Sequence, residues 1–554
     1  MAGAELPGLT GWFLLSEIRQ SASSLVEDGW RYKTFDPVKI TRIEDWSFYG
    51  AKNRTWGFNL HTLAFMEPLL REYDRSNNSE WLSTALDVAM DWISKHPDSD
   101  DEDDPMAWYD MALALRTPHL LALALRVARI PELSDEAIIL AAELMRHIDE
   151  LHRDRAFNSS NNHGFYTAAA QLHISRYVPW LSLNGSAQGQ GAERMLTMAS
   201  TQFSPDGVHL EHSPDYHRML LRSFERAVED GLITDEETRR RVSRAAKVLG
   251  WLVQPDGNLV QFGDSPETRM TLKNATSIDP ETLFILKDGK AGNPPSAEMQ
   301  VFPDGGYAFV RSPRPQSPGE LGKSGYLAFS AAFHSRAHKH ADDLNLVWYD
   351  KGQQILTDSG RYGYGELLSP DSPLRKDGFY YASPERQYFE GTMAHNTLMV
   401  DGKNQDRRNR EPYGSGLSDC TQKNGAFDLS ARVRHADYIH RRRLIFRPGA
   451  ELVIKDSVFS RSTDSREGIV WNNIAGHFEL EETGDGLIFV SPGEHSIRLK
   501  VASSGRPIEP VRGQMDPMRG WRSRQDRTME PTWSVGFAFP INVRGSITTR
   551  FEIL

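Results

Sequence analysis

An α+β chain built from more than one domain is predicted by three observations. The first half carries apolar residues at helical spacing, and the second carries short strand-like runs between turn signals. Between them, Lys287 to Pro295 (KDGKAGNPP) is rich in Gly and Pro, and the period changes there. At 554 residues the chain exceeds one ordinary hydrophobic core. The expected division is a helical domain over 1–295 and an antiparallel β-sandwich over 296–554.

The helical half opens with Ser79 to His96, a Ser start followed by apolar residues three and four apart. Met106 to Arg129 and Ser134 to Leu151 repeat the pattern, the latter starting Ser-Asp-Glu-Ala. Gly164 to Leu181, Gly191 to Phe203, His217 to Asp230 and Asp235 to Leu252 follow. The acidic run Asp98 to Asp104 reads as a solvated loop between helices. Helical hairpins of similar length without a sharp repeat point to an α/α toroid or solenoid.

Past residue 295, Tyr307 to Arg311, Gly325 to Phe333, Leu344 to Tyr349 and Gln354 to Thr357 read as strands. Asn396 to Val400, Arg442 to Phe446, Leu452 to Val458, Leu487 to Val490 and Trp533 to Phe539 continue the series. Asp350-Lys351-Gly352-Gln353, Asp401-Gly402 and Asp485-Gly486 are turn signals. Many short strands joined by turns indicate a sandwich.

Composition removes several classes. A net charge of -11 argues against a general nucleic-acid binder, because phosphate binding needs a basic surface. The single cysteine, Cys420, excludes an intramolecular disulfide and a Cys-based zinc cluster. The opening residues lack a basic n-region and a sustained apolar h-region, so neither a signal peptide nor a membrane span is read. That points to a cytoplasmic protein, or to a periplasmic or secreted one if a leader has been removed.

Four segments concentrate polar chemistry. Asn161-Asn162-His163-Gly164 precedes an apolar helix; it is either a cap or an amide and imidazole presented where the helix field favours an anion. Asp206 to His217 (DGVHLEHSPDYH) holds too many titratable groups around a Pro for a packing element, and it places Tyr216 among His and Glu. The segment Phe333 to Asp343 (FHSRAHKHADD) carries three imidazoles in seven positions, and His338 and His340, two apart in an extended run, address one point. It leads to Ile355 to Gly365 (ILTDSGRYGYG), and Met393-Ala394-His395-Asn396-Thr397 enters another strand. His340, Asp358 and His395 make a two-His, one-carboxylate set suited to Zn²⁺ or Mn²⁺. The bland alternative is three unrelated loop residues.

These four motifs, in this order and at similar spacing, resemble the heparinase II/III-like polysaccharide lyases, from about Trp56 to Gly402 and more loosely to the C-terminus. The resemblance implies an incomplete (α/α) toroid followed by an antiparallel β-sandwich. It gives Asn162 and His163 the neutralisation of a uronate carboxylate, Tyr216 the catalytic tyrosine's place and His338 that of the second catalytic residue. It makes His340, Asp358 and His395 the ligands of one divalent ion, which organises the loop presenting His338. Arg116, within Trp108 to Arg116, is expected to meet a substrate anion. Glu211 and Arg336 are further expected substrate contacts. Leu367 to Glu390 is longer than in some relatives and reads as a lid.

Such residues fit β-elimination. Oriented donors lower the barrier to removing the C5 proton of a uronate, a base takes that proton, and an acid protonates the leaving O4. Tyr216 does both when proton and leaving group share a face; for the other epimer His338 is base and Tyr216 acid. The expected substrate is an acidic polysaccharide, first a glycosaminoglycan (heparin or heparan sulfate, hyaluronan, chondroitin or dermatan), then alginate or a bacterial exopolysaccharide. A uronate C5-epimerase and a non-catalytic carbohydrate-binding protein are the alternatives. Arg407-Arg408-Asn409-Arg410 and Arg441-Arg442-Arg443 are either sulfate contacts or solvated faces. Polymer identity, metal identity and oligomeric state are not written in the sequence.

Overall fold

Helix Ser79–Lys95 shows how the first half is built. The Asn78 side chain accepts from the Glu80 N–H and caps the start, and Leu82, Ala85, Leu86, Ala89 and Trp92 bury one stripe. Asp110–Val127 is buried all round from Met111 onward, which makes it the central helix of the layer and explains its Ala/Leu composition. Ser134–His152, His163–Tyr177, Ser186–Gln202, Pro214–Glu229 and Glu236–Leu252 complete the long helices expected from periodicity. Shorter ones precede them (Ala22–Glu27, Ser47–Lys52, Arg54–His61, Met66–Ser76) or follow them (Pro280–Leu286). Their few turns give periodicity little to act on.

The computed structural model describes residues 1–7, 18, 20–32, 35–100, 102–160, 162–181, 186–271, 279–483, 486–493 and 496–554. Residues 8–17 of the opening segment, Asp101, Asn161 and Asp485 lie outside the described residues.

The second half forms two antiparallel sheets. One runs in the order Met299–Phe302, Tyr307–Ser312, Gly325–Ser330, Asn345–Asp350, Gln353–Leu356, Arg466–Ile474, Trp533–Ile541, Arg506–Arg512, with Leu398–Val400 paired to Arg466–Ile474. The other runs Glu479–Thr483, Gly486–Val490, Arg498–Ser503, Arg544–Ile553, Glu451–Ser460, Tyr438–Arg447, Ala426–Arg434, Leu417–Lys423. Leu327, Phe329, Leu346, Trp348, Val535 and Phe537 of the first share one core with Leu429, Val433, Leu444, Phe446, Leu452 and Ile454 of the second. Gly325–Ser330 and Asn345–Asp350 are buried at every position, so they read as apolar runs and not as alternation. The turn between Asn345–Asp350 and Gln353–Leu356 has Lys351 and Gly352 both at positive φ (46° and 80°), the mirror-image geometry that matches strand twist.

Contacts divide the chain into two units, Met1–Gln202 with Arg226–Arg239, and Phe203–Glu225 with Arg240–Leu554. The change of secondary structure, between Leu286 and Met299, therefore differs from the division by contacts. Phe203–Glu225 and the stretch from Arg240 belong with the strands. Among the described residues no helix is long and apolar enough to cross a membrane.

Candidate active site

Tyr216 is placed by a helix start. Ser213 precedes Pro214, the first residue of Pro214–Glu229, and the Ser213 hydroxyl accepts from the Tyr216 N–H at 3.3 Å. The preceding His212 has φ 62°; its Nε2 accepts from the His334 N–H at 2.8 Å, so its Nδ1 donates to the Ala337 carbonyl at 3.1 Å. Burial holds His212 well below the ordinary imidazole pKa, and in this neutral tautomer it fastens the loop that carries His338.

His338 also takes a left-handed backbone, φ 53°, a conformation a bulky residue adopts only when its surroundings enforce it. Its ring stacks on Tyr216 with centroids 3.8 Å apart and planes at 26°. Nδ1 lies 2.9 Å from Asp264 Oδ2, and Nε2 lies 3.3 Å from Glu211 Oε2. Burial works to lower the pKa of His338, but the two carboxylates outweigh it and raise the value to about 9. The site therefore holds an imidazolium.

Tyr216 is the opposite case. Burial pushes its phenol up to about 12, with Asp264 and Glu211 adding to the rise against its hydrogen bond to Tyr364. The Tyr216 and Tyr364 hydroxyls are 3.1 Å apart, and the Tyr364 hydroxyl is 3.1 Å from both Asp264 Oδ2 and His338 Nδ1. Tyr364 stood in the sequence motif without a role, and Asp264 was not singled out at all. Asp264 is the hub, since its carboxylate also takes His340 Nε2 at 2.9 Å and the Arg386 guanidinium. Burial opposes its charge, and Arg386 and the imidazoles overcome that, holding it well below the usual carboxylate range. Its neighbour Gly263 has φ 53°, and a Cβ there would meet the His338 carbonyl oxygen at 2.6 Å, so only glycine fits beside the loop.

Of the expected ion ligands, His340 and His395 are fully buried. With Nε2 directed to Asp264, His340 leaves Nδ1 without a partner; with Nδ1 directed to Asp358 Oδ2 at 2.9 Å, His395 leaves Nε2 without one. Unpartnered imidazole nitrogens beside buried carboxylates are donor types that a divalent ion takes. Asp342, Asp358 and His395 form a buried group whose ligand atoms all lie within 4.8 Å of one another, as an ion site requires; in the helical unit His61, His96 and Asp104 form another. Asp342 thus joins the expected set, and the His340 ring lies 5.3 Å from that of His395. Lys339 already pairs with Asp342 and Asp343.

Asn162 and His163 fall in the helical unit. Asn162 makes no side-chain cap bond to helix His163–Tyr177, so capping does not account for it. His163 Nδ1 is 3.0 Å from Asp110 Oδ2 and 3.3 Å from the Tyr109 hydroxyl.

Two of the expected substrate contacts need correction. Arg116 is wholly buried in the helical unit, where it donates to His147 Nε2, to the carbonyls of His61 and Ala107, and lies 3.8 Å from the Trp92 ring centre. With no exposed surface it does not meet a substrate. Glu211 is 5% exposed and its carboxylate pairs with His338, so it holds the imidazolium and not the sugar. Arg336 donates to the carbonyls of Arg408 and Arg410 and keeps its side chain 40% exposed, which leaves a substrate contact open to it. The C-terminal end of the segment read as a lid is anchored, because Arg386 on its helix Pro384–Glu390 is buried against Asp264 and Glu390.

Comparison with known proteins bears on the family and the fold. Residues 17–279 match the family described as Heparinase II/III N-terminus, and residues 294–538 match Heparinase II/III-like, C-terminal. A heparinase III crystal structure superposes with a TM-score of 0.76 at 16% identity, covering 100% of this chain and 88% of that one. The heparan sulfate lyase HepC from Pedobacter heparinus gives 0.70 at 16% identity, covering 97% and 84%. An alginate lyase of Stenotrophomonas maltophilia (strain K279a) is 31% identical over 118 residues, which are 21% of this chain and 13% of that protein. The structural matches bear out the fold class expected from the sequence, a helical toroid followed by a β-sandwich. The two family matches together take in most of the chain, which belongs to the heparinase II/III family.

Proposed function

We propose that the protein is a polysaccharide lyase that cleaves a uronate-containing polymer by β-elimination. The observation that carries the reading is the Tyr216–His338 stack, with its cation held by Asp264 and Glu211. A phenol with its proton secured is ready to protonate a leaving O4. To accept the C5 proton instead, Tyr216 must first ionise. At pH 7.5, from about 12, that costs roughly 6 kcal/mol, a cost that an adjacent imidazolium offsets. His338 is thus a charge stabiliser before it is a base, and both proton steps fall to Tyr216 on a substrate whose C5 proton and O4 share a face. In this reading Asn162 and His163 bind the uronate carboxylate and stabilise the enolate-like charge that develops beside it.

A divalent ion, Zn²⁺ or Mn²⁺, would be held by His340, His395 and Asp358, with Asp342 beside them. When bound it supplies fixed positive charge and rigidity to the loop that ends in His338. The residues that move protons are the chain's own.

A glycosaminoglycan remains the first substrate class and alginate the second; the latter draws support from the 118-residue likeness to an alginate lyase. The discriminating experiment is incubation with heparan sulfate, hyaluronan, chondroitin, dermatan and alginate while following ultraviolet absorbance of the unsaturated uronate end. Absorbance growing with one polymer, and absent with Tyr216→Phe, is the expected result. Proton exchange at C5 without new absorbance would instead identify an epimerase, and neither signal on any uronate polymer would refute catalysis on this class.

A further inference from the structure

The basic run Arg441-Arg442-Arg443 is split by strand alternation. Arg442 points inward and is buried on Asp456, whereas Arg441 and Arg443 lie on the outward face of the eight-stranded sheet. On that face Arg432 is directly opposite Arg441, Arg443 is opposite Lys455, and Phe459 is flanked by Ile439 and Arg544. The guanidinium carbons of Arg441 and Arg544 both lie 5.5 Å from the Phe459 ring centre. The face's acids are engaged elsewhere: Asp428 pairs with Arg443, and Glu451 with Arg447 and Arg550. Asp419, on the neighbouring strand Leu417–Lys423, Glu552, opposite Glu451, and Glu479 and Glu481, on the far edge strand Glu479–Thr483 and paired with Arg512 and Arg498, are its other carboxylates. Arg432, Arg434, Arg441, Lys455 and Arg544 are exposed and have no ion pair among the described residues.

Like charges directly opposite in an antiparallel pair destabilise the sheet, so Arg432 against Arg441 is a cost that no ion pair among the described residues offsets. Strands lie about 4.8 Å apart and alternate residues about 7 Å apart along a strand, which spreads these cations as a grid and not a point. Two of the five are laid over an aromatic ring, which limits their freedom before a ligand arrives. On a chain of net charge -11, a local positive field of this kind selects an extended anion that a uniformly acidic surface would repel.

From this we infer that the outward face of the eight-stranded sheet, centred on Arg432, Arg441, Phe459 and Arg544, is a second, non-catalytic binding surface for an acidic polysaccharide. The choice of ligand rests on the lyase reading above; the surface itself does not. Carboxylates or sulfates carried one or more per sugar match separate cations on a grid, and the Phe459 edge offers an apolar contact for a sugar ring. Such a surface holds a long chain near the enzyme between cleavages. It lowers the apparent KM for polymer and leaves short oligosaccharides unaffected.

The test is affinity electrophoresis of the full chain carrying Tyr216→Phe, in native gels containing heparan sulfate, hyaluronan or alginate, with neutral dextran as the reference. At least one uronate polymer is expected to retard the protein. Arg432→Ala/Arg441→Ala/Arg544→Ala is expected to weaken that retention at least fivefold, and Arg441→Gln alone about twofold. Arg498→Ala/Arg506→Ala/Arg512→Ala makes the same charge change at arginines already paired with Glu481, Glu467 and Glu479, and is expected to stay within twofold. The proposal is overturned by absence of retardation, by equal loss in both triple variants, by retention unchanged in the first, or by equally strong retardation in single-stranded DNA. Turnover of a short uronate oligosaccharide by chains with Tyr216 intact reports on the lyase reading separately. It should be the same within twofold with and without the first triple substitution, while the KM for polymer rises at least threefold.

Discussion

Replacing Asp264 by Asn removes one charge from the centre of the site and changes little in volume. In the folded protein His338 stands at about 9 against an ordinary value of 6.5, a difference of roughly 3 kcal/mol in favour of the imidazolium. Burial opposes that difference, and Asp264, bonded to Nδ1 at 2.9 Å, is the first of the two carboxylates that create it. Without it, Glu211 at 3.3 Å works alone against burial and against Arg386, which loses one of its two acidic partners. We expect His338 in Asp264→Asn to titrate at or below about 6.5, so that at pH 7.5 the ring changes from about 30:1 protonated to about 10:1 neutral. Imidazole-labelled NMR of the parent and variant, each stripped of divalent ions, measures this directly. The linkage has a definite sign. Because the folded value is raised, the stabilisation is complete below about 6.5 and is lost as pH rises through about 9. The pH dependence of unfolding in that window should flatten in the variant. A His338 that still titrates near 9 after the substitution would show that Asp264 does not hold the proton, and would remove it from the site's electrostatics.

Four further outcomes follow from the same geometry. Tyr216→Phe keeps the ring stacked on His338 and removes only the oxygen, so kcat should fall on the order of a hundredfold or more with KM nearly unchanged, as read from initial rates on the active polymer. The pH profile of kcat/KM should rise on the alkaline side, as the Tyr216 phenolate becomes more accessible, and turn over near 9 as the imidazolium is lost; an acid optimum would contradict the assignment. Elemental analysis of protein purified without chelator should find close to one divalent ion per chain, and His395→Ala should lower both occupancy and melting temperature; ion-free protein of full stability would refute the site. Arg442→Met leaves the buried Asp456 carboxylate with His440 as its remaining partner and abandons the carbonyls of Leu344 and Asn396, and should cost about 3–5 kcal/mol in denaturant unfolding of the sandwich.

The sequence revealed most where a repeating period or a dense motif carries the information. Ser79–Lys95 and Ser134–His152 match the expected helices to within one residue at each end, because their burial stripes are regular. The strands came through where alternation or a positive-φ turn marked them, as at Lys351-Gly352. The site was legible in its imidazoles and Tyr216, which cluster in the chain. Asp264 was not, because it is one acid in an unpatterned loop 74 residues from its bond to His338. Arg386 was hidden inside a segment that looked like an optional insertion. Arg116 misled in the other direction: an arginine in a suggestive motif carries no mark of burial, and only packing shows it lying against Trp92.

Asp264 has a consequence for how such a chain is recombined. The four bonding partners of its carboxylate, His338, His340, Tyr364 and Arg386, all lie C-terminal to the Gly/Pro-rich stretch where the pattern changes period. A chimera joined at that tempting seam would inherit the carboxylate from one parent and every neutralising group from the other. Homologous exchange at residue 295 is therefore tolerated only between parents that agree at all five positions. A crossover upstream of Phe203 transfers the whole ionic assembly intact, together with Tyr216. In a library of chimeras, function should survive according to which parent supplied that assembly as a block, and not according to how cleanly helices were separated from strands.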